Sequence, residues 1–539
     1  MLSSFSSEPQ FLSQWGRMPE TKHSARLAVL AAILFLVFLP YSEGQVRPPN
    51  PEADRLAKQA MELYRKGDFD MAAATLRKAI TLSPADGNLY FDLGMVLADK
   101  GSLPESAEAY EKSIVILEKQ NVPRLSLSNA LNNLALVYYR QNRLDDADPR
   151  IDRAIQLWQA NPDAWVSRGL VLEARGKLDD AIAAYRKAIS IAPRMVTALQ
   201  DLGLALQKKG QLTEAIAVLQ SGGRFHPDDP EIQGALGGAL LAGDRPKDAE
   251  TALRASLAIN PDAPLVLYNL GDALRRQNKL VESLEVLQRA HAASPEDSEI
   301  SLGLGSLLVQ LHRQQEALPF LAAALRSGKP DALAYYTMGD ALERQGRYGE
   351  GIKYAEEALR VRPDFPEATA LLGSLLIETN KAEEAGKIIE SALASHQDSP
   401  DLHNGWGLVL LAKEKVKDAE VQFVQALRLR ENYPDAHVNH AVALTLQGKG
   451  AEAVPEFEKV LQDDPKNLKA QANLATALFA QKRYAEASEA YARAVGLAPN
   501  DPDLRTNLGV SLEKAGRAEE AKKAFTEAQR LRASPSQKQ

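Results

Sequence analysis

The sequence predicts an all-α chain of tandem helix-turn-helix units. Three observations carry that prediction. A pattern of large, small and turn residues recurs about every 34 positions from near Ala53 almost to the C-terminus. Two positions within the unit are small in every copy. Apolar residues fall three and four apart, the period of an amphipathic helix, with glycine and proline as stops between them.

The unit is clearest from Pro162 to Met195, with Pro162 as position 1. Trp165 and Leu172 mark one face of a first helix, and Gly169 lies between them. Gly176, at position 15, interrupts the pattern as a helix-ending residue of positive φ does. Asp179 and Asp180 open a second helix, where acidic groups favour the exposed amide end. Ala181, Tyr185 and Ala188 form its inner face, and Pro193 stops it, because proline cannot continue a helix.

The small positions set the geometry. Position 8 is Gly or Ala in every copy, among them Gly94, Ala135, Gly169, Gly271, Gly407 and Gly509. Position 20 is equally small, as in Ser106, Ala181 and Gly351. Position 27 is small except for Val460 in repeat 12. Two helices approach closely only where no bulky side chain separates them. Glycine costs a helix about 1 kcal/mol relative to alanine, so packing is what keeps it there.

This pattern resembles the tetratricopeptide repeat family, and the resemblance covers nearly all of the chain after residue 52. It implies a right-handed superhelical solenoid of helix-turn-helix repeats. First helices would line a concave groove, with positions 2, 5, 6, 9 and 12 facing it.

In chain order, residues 1–44 stand apart. Lys22, His23 and Arg26 precede an apolar run, Leu27–Leu39, of about 13 residues. Roughly 20 are needed to span a bilayer as a helix. Small residues at Ser42 and Gly44 fit a signal-peptidase site. A cleaved export signal and an uncleaved N-terminal anchor both remain open, and Met18 is a candidate start. Residues 45–52 are expected to be a linker, with Arg47–Pro51 stiffened by proline. Repeats start near 53, 87, 128, 162, 196, 230, 264, 298, 332, 366, 400, 434, 468 and 502, and the solenoid runs over 53–535 with a tail at 536–539. The step from 87 to 128 carries seven extra residues, read either as two longer helices or as a local kink or docking site. Pro149, Pro319 and Pro455 all fall at position 22, read as the tolerated first turn of a second helix. The last repeat is expected to cap itself or to dock on something, with no extra capping helix.

Composition removes several classes of function. The net charge is −7 and the pI near 5.8, so the basic footprint of a nucleic-acid binder is absent. With no cysteine there is no disulfide, thiolate nucleophile, cysteine metal site or lipobox lipid. Phosphate loops, GxSxG elbows and HExxH motifs are missing, and outside the repeats no segment is long enough for a catalytic domain. No cofactor is expected. His403, His437 and His440 are read as packed histidines, because no carboxylate at obvious spacing completes a metal set.

The groove positions therefore carry the functional expectation. Position 6 holds Asn133, Asn269, Asn439, Asn473 and Asn507, the last three in consecutive repeats. An amide both donates and accepts, so an asparagine row suits an extended peptide backbone. A similar ladder occurs in the repeat array of O-linked N-acetylglucosamine transferase; the competing reading is that Asn-Leu-Gly is common filling of this repeat. Tyr268 and Tyr336 at position 5 offer aromatic anchors. Asp272 and Asp340 at position 9 offer charge. The Lys and Asn pair of a chaperone-tail carboxylate clamp is absent from every repeat. The expected function is a non-catalytic scaffold that holds a protein or extended peptide in its groove, on an exported or membrane-anchored chain with its repeats outside the cytoplasm. Anchoring would run through Leu27–Leu39, and self-association through the end repeats. The alternative is a targeting or assembly subunit for a separately encoded glycosyltransferase or secretion enzyme.

Overall fold

The computed structural model describes residues 50–120, 122–326 and 331–533. The apolar run Leu27–Leu39, most of the linker and the tail lie outside the described residues. Among the described residues there are 28 helices and no strand, and the protein is an all-α solenoid of helix-turn-helix repeats. None of these helices is long and apolar enough to cross a membrane.

Local chemistry fixes where helices begin. The first helix is Pro51–Arg65, so Pro51 belongs to it and not to the linker. Asn50 explains the early start: its side chain accepts from the amides of Glu52 and Ala53, and proline suits a position whose amide has no helical partner. From repeat 4 onward first helices open at Pro162, Val196, Pro230, Pro264, Ser298, Ala332, Pro366, Pro400, Pro434, Leu468 and Pro502.

The seven extra residues lengthen helices. The second helix of repeat 2, Leu103–Lys119, and the first helix of repeat 3, Arg124–Arg140, have 17 residues each. Their counterparts in repeat 4, Leu178–Ile191 and Pro162–Ala174, have 14 and 13. The three prolines correct the sequence reading. Pro149, Pro319 and Pro455 are the sixth residues of Leu144–Leu157, Gln314–Leu325 and Gly450–Asp463. They stand beyond the first turn, where an amide would have reached the carbonyl four residues back, so each removes one helical hydrogen bond.

One turn is repeated fourteen times. Position 15 has positive φ in every repeat: seven glycines, and also Asn142, Asp244, Asn278, His312, Asn380, Glu414 and Lys482. The following amide then reaches back to the carbonyl of position 11, as Lys177 does to Leu172 and Lys415 to Leu410, both at 2.8–2.9 Å. This six-residue closure satisfies carbonyls left over at a helix C-terminus.

Close approach explains the small positions. A Cβ on Gly169 would run into the Tyr185 ring, and one on Gly407 into the Phe423 ring. Tyr185 and Phe423 are fully buried, each worth roughly 2–3 kcal/mol of apolar transfer. Position 20 serine adds a polar link: Ser106 Oγ donates to Gly94 O at 2.6 Å, and Ser283 Oγ to Gly271 O at 2.7 Å.

The chain divides into two compact units between Val286 and Leu287, inside the second helix of repeat 7. Within each unit most first helices touch the first helix of the next repeat, as Pro366–Glu378 touches Pro400–Ala412 in the second unit and Val196–Lys208 touches Pro230–Ala242 in the first. Among the described residues, second helices touch only their chain neighbours to that extent. First helices are therefore the crowded, inner layer of each unit.

Candidate partner-binding grooves

The inner layer of the first unit carries a polar group around repeats 1 to 3. The Tyr64 hydroxyl donates to Asp99, and Arg140 donates to Ala98 O at 2.8 Å with its charge beside that carboxylate. Phe91 and Tyr110 meet edge to face at 5.6 Å, and Asn133 Nδ2 lies 3.5 Å from the Tyr110 hydroxyl. Asp92, at position 6, is half-buried. Burial pushes its carboxyl up to about 7, with the charge of Asp86 adding to the shift. Toward repeat 7, Asp272 accepts from Arg275 at 2.6 Å and from Arg276 at 2.8 Å. Asn269 is buried and Tyr268 half-buried.

In the second unit the inner helices of repeats 9 to 13 act on one another across the groove. Asp340 accepts from Arg344 Nε at 2.9 Å and 3.1 Å. Burial pushes the Asp340 carboxyl up, and Asp435, three repeats away, adds to that shift. The same two aspartates hold the Arg344 guanidinium firmly charged, Asp340 foremost. Glu343 accepts from Ser374 Oγ, and burial pushes its carboxyl up to about 7. Asp401 sits in a closed network: Arg430 grips it at 3.1 Å and 2.8 Å, and the Tyr433 hydroxyl donates to it at 2.9 Å. Arg430 also lies over the Tyr433 ring, 4.8 Å from its centre.

Position 2 of repeats 10, 11 and 12 is thus acidic throughout: Glu367, Asp401 and Asp435. Among the described residues Asp401 alone of the three makes a direct ion pair, while Asp435 acts on Arg344 and Glu367 on Arg430 at longer range. Glu367 and Asp435 are half-buried, and their charges are felt by Tyr336 and by Tyr433 respectively. Tyr336 packs against Phe365 with ring centres 5.3 Å apart. Tyrosine hydroxyls, two carboxylates without a direct ion pair and two aromatic faces therefore share one inner wall. Such a wall attracts a positive charge and offers flat apolar surface beside it.

The five position-6 asparagines do not form a uniform row. Asn439 and Asn269 are buried, and Asn439 donates to Asn404 Oδ1 at 2.9 Å. Asn473 keeps some exposure and donates to Lys469 O at 2.9 Å, while Asn507 is exposed. Asn133 is half-buried beside Tyr110. The acidic run at position 2 was legible from the implied groove positions. Arg430 and Tyr433 were not, because they stand at the end of a second helix and just beyond it, outside those positions.

The histidines are held by polar neighbours. His403 meets Gln422 Oε1 at 2.8 Å and Gln397 O at 2.9 Å. The fold does supply the carboxylate that spacing did not reveal: Glu456 contacts His437 Nδ1 and lies 3.8 Å from His440 Nδ1. His437 Nε2 is taken by Glu431 O at 2.9 Å. Among the described residues no group of three or more metal-ligating side chains is placed to hold an ion.

Comparison with known proteins follows the same repeats. Residues 116–335 match the cilia and flagella-associated protein 70 C-terminal domain. One tetratricopeptide repeat family matches residues 342–405, 444–506 and 478–536, and a second matches 57–121 and 404–467. No curated protein matches the chain in sequence. Among solved structures it is similar to the APC/C hetero-tetramer Cut9-Hcn1, at 14% identity over 90% of this chain and 94% of that chain, with a TM-score of 0.45. It is similar to pilF of Pseudomonas aeruginosa at 18% identity over 42% and 99%, with a TM-score of 0.37. Yeast Tom70 is similar at 17% identity over 90% and 97%, with a TM-score of 0.33.

Proposed function

Because the chain belongs to the tetratricopeptide-repeat proteins, which act as protein–protein interaction scaffolds, we propose that it holds an extended, cationic protein segment against the inner helices of its second unit. The observation that carries this reading is the pair Glu367 and Asp435. Both are half-buried on the inner layer and, among the described residues, make no direct ion pair, either side of the paired Asp401; the charges of Arg430 and Arg344 reach them only at longer range. A lysine or arginine of the partner would complete them, with its aliphatic stem on Tyr336. Asn473 and Asn507 stand further along the same layer and would hold main chain. In the first unit Asn133 and Tyr268 are the corresponding contacts. Asn439 and Asn269 are buried, so they would support the groove from beneath. Helix stacking fixes this surface before the partner arrives, so little ordering entropy is lost on binding.

No catalytic step is proposed. The apolar run Leu27–Leu39 is proposed to export or anchor the chain, which fractionation of cells carrying the tagged full-length protein would test.

The test of the groove is a peptide titration by fluorescence anisotropy. Full-length protein is titrated into an extended lysine-bearing peptide and its glutamate-bearing counterpart, at low and at 0.5 M salt. Binding of the lysine peptide is expected, weakened by salt and by roughly tenfold in the double variant Glu367→Gln/Asp435→Asn. Equal binding of both peptides, or no change in the double variant, would overturn the proposal.

A further inference from the structure

His312 lies in the turn between Ser298–Gln310 and Gln314–Leu325 of repeat 8, and Asp464 caps the end of Gly450–Asp463 in repeat 12. His312 Nε2 and Asp464 Oδ2 are 2.8 Å apart, although 152 residues separate them in sequence. Links between neighbouring repeats have a much shorter reach: Asn439 to Asn404 spans 35 residues.

Each partner shows that the contact is specific. His312 holds φ at +57°, a conformation in which seven sister turns place glycine. The imidazole meets Asp464 of repeat 12. Asp464 is aimed from its other oxygen, which accepts from the Lys466 amide at 3.2 Å. The walls between the two ends are also close. His312 acts electrostatically on Asp340, Asp435 acts on Arg344, and Lys469 acts on Glu343.

We propose that the His312–Asp464 contact is a clasp that gates the groove of repeats 8 to 12. Closed, it ties the rim of repeat 8 to the rim of repeat 12 and narrows the way in. A partner segment enters when the clasp opens. This rests on the groove reading given above and adds its control. The clasp is weak by construction: the two side chains are 33% and 32% exposed. A polar pair so open to water shifts an open–closed equilibrium by no more than about fivefold, which a partner's binding easily exceeds.

The chain has no cysteine, so a spin-label pair can be placed without background. Gln315→Cys and Gln462→Cys are exposed positions flanking the two residues. Double electron–electron resonance on the full chain would compare the native clasp with His312→Gly and Asp464→Asn. His312→Gly keeps the turn, since glycine forms it in seven other repeats, and Asp464→Asn keeps the acceptor for Lys466. Circular dichroism should show unchanged helix content in both. A dominant short distance in the native chain, losing up to about fivefold in population to longer distances in each variant, is the expected result. Faster association of the lysine peptide with both variants, by a similar factor, is expected alongside it. A distance distribution that neither variant alters overturns the clasp. Longer distances with an unchanged association rate overturn the gate while leaving the groove intact. Failure of the peptide to bind native or variant protein overturns both.

Discussion

Asn439 donates its side-chain amide to Oδ1 of Asn404, and the two residues are buried together between the first helices of repeats 11 and 12. Asn439→Ala leaves the buried Asn404 without its donor, which costs about 1–3 kcal/mol. Asn507→Ala removes an exposed side chain and should change stability by less than about 0.5 kcal/mol. Hydrogen exchange across repeats 11 and 12 separates them: protection should drop for Asn439→Ala alone. Equal behaviour of the two variants would contradict the burial argument.

Glu414 and Lys482 hold positive φ with exposed side chains. A Cβ in that region costs roughly 1 kcal/mol, so Glu414→Gly and Lys482→Gly should each stabilise the chain by about that much. Raised melting temperatures for both would agree. A fall in either would mean that the side chain makes a stabilising contact of its own.

Gly407 faces the fully buried Phe423 ring with no room for a further carbon. Gly407→Leu must displace that ring, an overpacking that costs about 1–3 kcal/mol or more. Each repeat in the array contacts its neighbours, so the damage should stay local. Exchange mass spectrometry should show loss of protection in repeats 10 to 12 and none in repeats 1 to 6. One cooperative collapse of all repeats would count against this.

Glu343 gives a pH signature. An ordinary glutamate titrates near 4.3, whereas burial raises this one to about 7. The folded state therefore favours its protonated form, and that contribution is full below the unfolded value. It is lost as pH rises toward 7. Glu343→Gln should melt higher relative to the native chain at pH 8 than at pH 5. Asp92→Asn should behave the same way, because burial also lifts Asp92 to about 7. A native-minus-variant difference that does not vary with pH would refute the shift.

The helix pairs and their turns were legible because they are local. Glycine at position 15 announced the turn in seven repeats, and the period carried it to Asn142 and Lys482, where the residue type does not. Position 22 misled for a related reason: spacing places a proline within a repeat, but only the observed start at Leu144 shows that Pro149 is past the first turn. The asparagines illustrate the limit more sharply. Residue type put Asn439 in a groove, yet its burial depends on Asn404 in the preceding repeat. The Asp401–Arg430–Tyr433 network joins a helix start to the end of a helix some 30 residues on, and amphipathic periodicity is blind to such pairings.

The 152-residue span of the His312–Asp464 pair also has a kinetic meaning. Nearly everything else in the second unit joins helices adjacent or next but one along the chain, so its contact order is low and each piece forms quickly. The imidazole finds its carboxylate only after five successive repeats have stacked in register. It therefore forms only once repeats 8 to 12 are all in place, and a chain stalled short of that would show native helicity while this pair stayed apart. A probe at His312 would time the stacking of repeats 8 to 12 where circular dichroism could not.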